Sequence, residues 1–262
     1  MNVFFRLLQI PLARLGYQLA PFNGRQIIPE TIPDRELYTG PEDFSRLFRP
    51  WLGEEFGRLL TPQITGNTGL SRQKLYWLLN LCRLTQDLEG DVFEAGVGSG
   101  GSARLLLEAL DGEKIRKTFW LLDTFEGYQK IDRTQDGAHV QINQCRGSSY
   151  EEVKRLLGND AAVVKLIKGL IPATLAEVKA NKICFAHIDV NLYEPTLAAT
   201  KFCLQRLVPG GMMVFDDYCW PATYSARKAI DEACSTFGQT VLCLPESTQA
   251  FLVRSPFGPL PR

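Results

Sequence analysis

The sequence predicts an α/β fold: a doubly wound, mostly parallel seven-stranded sheet with an antiparallel C-terminal hairpin and an N-terminal, partly helical cap. Three observations carry this. From Gln73 onward, apolar runs rich in β-formers alternate with segments of helical spacing across short connections. The last two strand-like runs have only a short turn between them, and residues 1–70 lack the rhythm.

Taken in order, residues 1–70 carry Pro21, Pro29, Pro33, Pro41, Pro50 and Pro62 and form the irregular cap, leaving 71–262 as the core. Core strands are expected over Asp91 to Val97, Phe119 to Asp123, Ala162 to Lys168, Ile183 to Val190 and Gly211 to Phe215. Each is a short apolar run of the kind a parallel sheet buries on both faces. Helices are expected over Ser102 to Leu110, Tyr150 to Leu157, Pro172 to Ala180, Pro195 to Val208 and Thr223 to Phe237. In the fourth, Pro195 suits the first turn, Leu197, Leu204 and Leu207 recur near helical spacing, and Pro209-Gly210-Gly211 supplies a stop. Thr240 to Leu244 and Gln249 to Arg254, joined by Pro245-Glu246-Ser247-Thr248, read as the edge hairpin.

Lys+Arg and Asp+Glu both total 29, so bulk electrostatics offer nothing to a nucleic acid, and a small molecule is the expected ligand. The 7 cysteines are scattered and never spaced C-x-x-C, and with only 2 histidines a zinc site is disfavoured. Free thiols in a reducing cytoplasm fit this usage, and a homo-oligomer is expected. Within residues 1–20, Arg6, Pro11 and Arg14 break the apolar run, so it is too interrupted to span a bilayer. Phe4, Phe5, Leu8, Leu12 and Leu15 can share a helical face, which suits either weak contact with a membrane surface or, as the favoured reading, packing on protein.

Two carboxylate clusters stand where strands are expected to end: Ile188-Asp189-Val190-Asn191 and Val214-Phe215-Asp216-Asp217. Ligands of open α/β sheets bind beyond the carboxyl ends of neighbouring strands, so Asp189, Asp216 and Asp217 can converge on one ion. An all-oxygen set suits a hard cation, Mg²⁺ or else Ca²⁺ or Mn²⁺, better than zinc. The competing reading is that Asp216-Asp217 starts a turn and caps the next helix.

A glycine-rich segment, Phe93-Glu94-Ala95-Gly96-Val97-Gly98-Ser99-Gly100-Gly101-Ser102, closes the first core strand and opens its helix. Gly96, Gly98 and Gly101 satisfy a loose G-x-G-x-x-G, a weak pattern that lets backbone approach a ligand. Leu121-Leu122-Asp123 ends the second strand with an acid suited to a ribose diol, as in sites for NAD and for S-adenosylmethionine. Glu94 inside the loop would repel a pyrophosphate, and the terminal hairpin departs from the all-parallel nucleotide fold. Both favour S-adenosylmethionine, whose ammonium Glu94 can serve.

These stretches resemble the macrocin O-methyltransferase family, S-adenosylmethionine- and Mg²⁺-dependent enzymes that methylate sugar hydroxyls. The resemblance rests on Thr68-Gly69-Leu70-Ser71, Phe93 to Val97 with Gly100-Gly101-Ser102, Asp123-Thr124-Phe125-Glu126-Gly127, His187 through Thr196, and Pro209-Gly210-Gly211 leading to Asp216-Asp217-Tyr218. It implies a Rossmann-like class I methyltransferase fold and an O-methyltransferase acting on a sugar or glycosylated small molecule. It further implies a cofactor pocket lined by Thr68, Glu94, Gly96, Ser102 and Asp123, with Gly98 between them, and a metal held by Asp189, Asp216 and Asp217. Two positions depart from the family. Asn191 replaces an acid proposed there as general base, and an amide cannot take that proton. The loop around Val97-Gly98-Ser99-Gly100 lacks the family's aromatic-Arg pair.

Five further residues have side chains suited to chemistry or binding. His187 shares a strand face with Asp189 and reads first as a packed core histidine. His139 lies in a polar stretch, Gln129 to Arg146, that can close as a lid and supply a base; a solvated loop histidine is the favoured reading. Tyr218, Trp220 and Tyr224 suit either an acceptor pocket or helix packing. The alternatives to a methyltransferase are a catalytically degenerate cofactor-binding module, which Asn191 keeps open, and an NAD-dependent oxidoreductase, which Glu94 argues against.

Overall fold

The structure, a computed structural model, describes residues 17–19, 27–29, 38–39, 47–112, 117–158, 163–245 and 247–255. The chain forms two compact units, Met1–Arg58 and Leu59–Arg262. In the first, β1 (Tyr17–Leu19) pairs antiparallel with β2 (Ile27–Pro29), and β3 (Tyr38–Thr39) with β4 (Leu47–Phe48). A 3₁₀ turn (Pro50–Leu52) and helix α1 (Glu54–Leu59) follow. Strands of two or three residues leave no alternation to read, which is why the prolines alone suggested an irregular cap. The apolar face of Phe4 to Leu15 lies outside the described residues.

The second unit opens with α2 (Pro62–Thr65) and α3 (Arg72–Leu84). Ser71 caps α3 by accepting from the Lys74 N–H, and Leu75, Leu78, Leu79 and Cys82 form its buried stripe at helical spacing. The alternating part then runs β5 (Asp91–Ala95), α4 (Gly101–Gly112), β6 (Phe119–Asp123), a short α5 (Arg133–Asp136), α6 (Tyr150–Leu157), β7 (Val164–Lys168), β8 (Ile183–Ile188), α7 (Tyr193–Arg206), β9 (Leu207–Phe215) and α8 (Tyr224–Thr236). The hairpin β10 (Leu242–Cys243) and β11 (Ala250–Val253) ends it. Sheet order is β10-β11-β9-β8-β5-β6-β7: five parallel strands, with β11 antiparallel to β9 and β10 at the edge.

Alternate strand residues, among them Phe93, Ala95, Leu122, Ile188, Met213 and Phe215, join Ala199, Cys203, Ile230 and Ala233 of α7 and α8 in one core. The intervening positions face the other layer, where Ser102 of α4 reaches Glu94 of β5. Truncating a fully buried ring such as Phe185 to alanine would cost about 3–5 kcal/mol.

The structure corrects two element expectations. The segment Pro172 to Ala180 forms only a 3₁₀ turn, Ala173–Glu177, because Val178 goes extended and leads the chain into β8. Pro209-Gly210-Gly211 does not stop a helix but lies inside β9. The ladder partners Ile183 with Leu207 and Phe185 with Met212, so the extra β9 residues bulge out between them. There Gly210 N–H and Gly211 C=O bond Arg254 instead.

Candidate active site

The strand order reverses at β5, whose helix leads to β6 on one side while β8 lies on the other, and a crevice at such a point is where open α/β sheets bind ligands. The glycine segment belongs there for a steric reason. Gly96 has φ +89°, and a Cβ on it would lie 2.0 Å from the Asp189 carbonyl oxygen, so only glycine lets the ends of β5 and β8 close this tightly. The Gly101 N–H donates to the Asn67 carbonyl, which brings Thr68 beside the start of α4. Thr68 Oγ1 in turn accepts from the Leu70 N–H.

Asp123, at the end of β6, accepts 2.8 Å hydrogen bonds from the N–H groups of Gly98 and Phe125. Burial nevertheless lifts its pKa, since these bonds offset the desolvation only in part. Glu94 and His187 are register partners on β5 and β8, and both are fully buried. Ser102 Oγ donates to Glu94 Oε1 at 2.7 Å, and His187 Nδ1 lies 2.8 Å from the same oxygen. Burial opposes charge on His187, but Glu94, together with Asp189 and Asp216, offsets it and raises the imidazole pKa. Among the described residues, Glu94 Oε2 and His187 Nε2 have no hydrogen-bond partner, and both atoms are buried. Unsatisfied polar atoms in a core are rare and call for an occupant.

At the ends of β8 and β9 the structure brings Asp189 and Asp216 together with His187, their potential ligand atoms all within 4.8 Å of one another. Burial pushes the Asp189 pKa well above the usual 3.8, and the neighbouring Asp216 charge adds to it. Asp216, 2% exposed, receives Gln249 Nε2 at 2.9 Å on one oxygen and Lys74 Nζ at 2.5 Å on the other. Lys74 also reaches Asp217 Oδ1 at 3.0 Å, and Thr248 Oγ1 is 3.3 Å from that oxygen. Burial raises the Asp216 pKa despite Lys74, and the two carboxylates lift the Lys74 pKa despite its own burial.

The donor set therefore fits a cation: the ammonium of Lys74 already stands between two of the carboxylates, and the orphaned His187 Nε2 faces no other partner among the described residues. Asp217 joins the group through Lys74 rather than through the tight set with Asp189. Lys74, Thr248 and Gln249 escaped the sequence reading, in which a lysine opening a helix and a polar hairpin turn look like ordinary solvated positions.

Asn191 sits in the left-handed region, φ +60°, which an asparagine tolerates. Its side chain bonds the Tyr128 hydroxyl, and its carbonyl accepts from Ser225 Oγ at 3.1 Å. His139 is exposed and its Nε2 lies 2.9 Å from the Ala222 carbonyl, so it is engaged away from the carboxylates. Tyr218 is spent on packing, its hydroxyl donating to Asp231 at 2.6 Å. Trp220 and Tyr224, 51% and 66% exposed, present aromatic faces on the same segment.

Fold and site together define a class. The sheet overlays that of the O-methyltransferase NovP with a TM-score of 0.56 at 23% identity, covering 68% of this chain and 79% of that one. It overlays the calicheamicin methyltransferase CalS11 with a TM-score of 0.58 at 20% identity, over 85% and 97% of the two chains. The fold is thus the one these methyltransferases share. Residues 62–237 match the macrocin-O-methyltransferase (TylF) family, and the chain belongs to that family. A mycinamicin III 3''-O-methyltransferase from Micromonospora griseorubida is 29% identical over 165 residues, 57% of this chain and 62% of that protein. A demethyldecarbamoylnovobiocin O-methyltransferase from Streptomyces niveus is 27% identical over 164 residues, 58% and 60% of the two. The chain thus spans less than two thirds of the length of these relatives.

Proposed function

We propose that this protein is an S-adenosylmethionine-dependent, metal-assisted O-methyltransferase acting on a hydroxyl of a sugar or glycosylated small molecule. The observation that supports the reading is the cluster of His187, Asp189 and Asp216 at two strand ends, to which Lys74 joins Asp217, beside a glycine loop whose Gly98 N–H is bonded to Asp123. Membership of the family supports the chemistry, and a relative named for a substrate that carries a rhamnosyl group supports a sugar-bearing acceptor.

Bound S-adenosylmethionine would supply an electrophilic methyl group on a sulfonium. Asp123, oriented by two backbone donors, is placed to accept the ribose hydroxyls. Glu94 Oε2, buried and unpaired, suits an ammonium donor, while Thr68, Gly96, Gly98 and Ser102 shape the pocket wall. A divalent cation such as Mg²⁺, held by Asp189, Asp216 and Asp217, would supply Lewis acidity toward the accepting oxygen. Asn191, an amide, cannot take the hydroxyl proton; it instead orients the acceptor together with Tyr128. Trp220 and Tyr224 give the acceptor's apolar faces a stacking surface. Most of the rate then comes from holding oxygen and methyl carbon in line.

Calorimetry with S-adenosylhomocysteine tests the pocket. Wild type should bind, and Asp123→Ala should lose at least about tenfold in affinity, roughly 1.4 kcal/mol. No binding by wild type would remove the proposal. Binding without methyl transfer to any of a panel of glycosylated acceptors would leave a degenerate cofactor-binding module.

A further inference from the structure

We infer that Lys74 is a built-in cation of the carboxylate cluster: its ammonium neutralises Asp216 and Asp217 in the metal-free protein and must swing out for a divalent ion to enter. This rests on the metal-assisted reading above and adds to it the residue that sets metal affinity.

The geometry is that of an occupied cation site. Nζ is 2.5 Å from Asp216 Oδ2 and 3.0 Å from Asp217 Oδ1, and the Lys74 side chain is 17% exposed against 2% and 21% for its partners. An ammonium at these distances lies where an ion held by the same two carboxylates would lie, and both cannot be there. Other described ion pairs, such as Lys182 with Glu89 and Lys201 with Glu232, are far more exposed and weaker for that reason.

The lysine is mounted to move. Ser71 Oγ holds the Lys74 backbone N–H, and Gln73 Nε2 bonds the Pro245 carbonyl at 3.1 Å, so the start of α3 is anchored independently of the ammonium. The flexible four-carbon stem can therefore rotate toward solvent without moving the helix. Without a counter-ion, two adjacent carboxylates at a buried strand end would repel each other, so a resident lysine keeps the empty site folded. Its cost is competition: any metal must displace it, which lowers the apparent affinity of the site.

Mn²⁺ titration of the full chain, with free ion counted by electron paramagnetic resonance, reads this without reference to activity. Lys74→Met should bind Mn²⁺ at least about tenfold more tightly than wild type, because a charge about 3 Å from both ligands has gone. A second measurement needs no variant. Amine acetylation followed by peptide mass spectrometry should find Lys74 protected in metal-free protein and several-fold more reactive once Mn²⁺ saturates the site, with Lys182 and Lys201 unchanged.

If wild type binds Mn²⁺ while Lys74→Met binds it equally or less tightly, and Lys74 stays protected throughout, the exchange is wrong and Lys74 is a structural anchor, with the metal reading intact. If neither protein binds Mn²⁺, the exchange and the metal reading fall together.

Discussion

At Asp189, burial and the neighbouring Asp216 both favour the protonated acid, so the folded-state pKa lies above the usual 3.8. A raised carboxyl pKa contributes stability that is complete below the unfolded value and is lost as pH rises through the folded one. Asp189→Asn should therefore leave metal-free stability unchanged near pH 3.5 and increase it at pH 8, by about 1 kcal/mol, while abolishing methyl transfer. Thermal unfolding across that range in chelator decides it, and a variant less stable than wild type at pH 8 would show that Asp189 is better paired than its surroundings imply. Asn191 offers the opposite experiment. Aspartate tolerates the left-handed backbone as asparagine does, and Tyr128 can donate to a carboxylate, so Asn191→Asp should fold normally. Where a base is limiting, turnover with labelled methyl donor should rise about tenfold, within the range of a positioned base. A fall in rate with unchanged ligand binding would assign the amide to acceptor recognition.

Elements decide how the site is closed and how tightly it is built. The stretch from Gln129 to Arg146, containing α5, is docked rather than open. Asp136, 5% exposed, accepts from the Tyr193 N–H at the start of α7 and from the Asp132 N–H. Lys130 pairs with Glu194, and Lys228 reaches Gln135. Asp136→Ala should cost about 1 kcal/mol, as for loss of a helix cap, and speed amide exchange across residues 130–142 without touching β5 or β8. Unchanged protection there would mean that another contact latches the loop. At the strand ends, Gly96→Ala should cost about 2 kcal/mol or more, since its Cβ would overlap the Asp189 carbonyl. Gly98→Ala, whose Cβ would meet nothing within 4 Å, should pay only the left-handed penalty of about 1–2 kcal/mol. Equal losses in denaturant unfolding would argue that the two strand ends need not meet so closely.

At the scale of the whole molecule, the carboxylate site ties together α3, β8, β9 and the hairpin turn, so its occupancy should report on global stability. Mn²⁺ at about one hundred times its Kd should add about 2.7 kcal/mol, a Tm rise of roughly 5–10 °C, and Asp216→Asn should cancel it. No rise in wild type would mean that the ion does not prefer the folded state. The sequence by itself determined the alternation of strands and helices from β5 onward, apart from the 3₁₀ turn before β8 and the short α5, and the acids at the strand ends. Both are local: apolar period, helix punctuation and a charged residue at the carboxyl end of an apolar run can be read within ten residues or so. Phe119 to Asp123 and Tyr150 to Leu157 therefore appear in the structure with the bounds their patterns predict. Only the tertiary structure decided the environment of those acids. Lys74 lies 142 positions before Asp216, Gln249 lies 33 after it, and Glu94 lies 93 before His187. No local pattern distinguishes a lysine that will neutralise a buried carboxylate from one that will sit in solvent, because the difference is created by the parallel crossovers that carry distant strand ends to one edge of the sheet. The bulge in β9 has the same origin: Pro209-Gly210-Gly211 reads locally as a stop, and pairing with β8 and Arg254 overrides it.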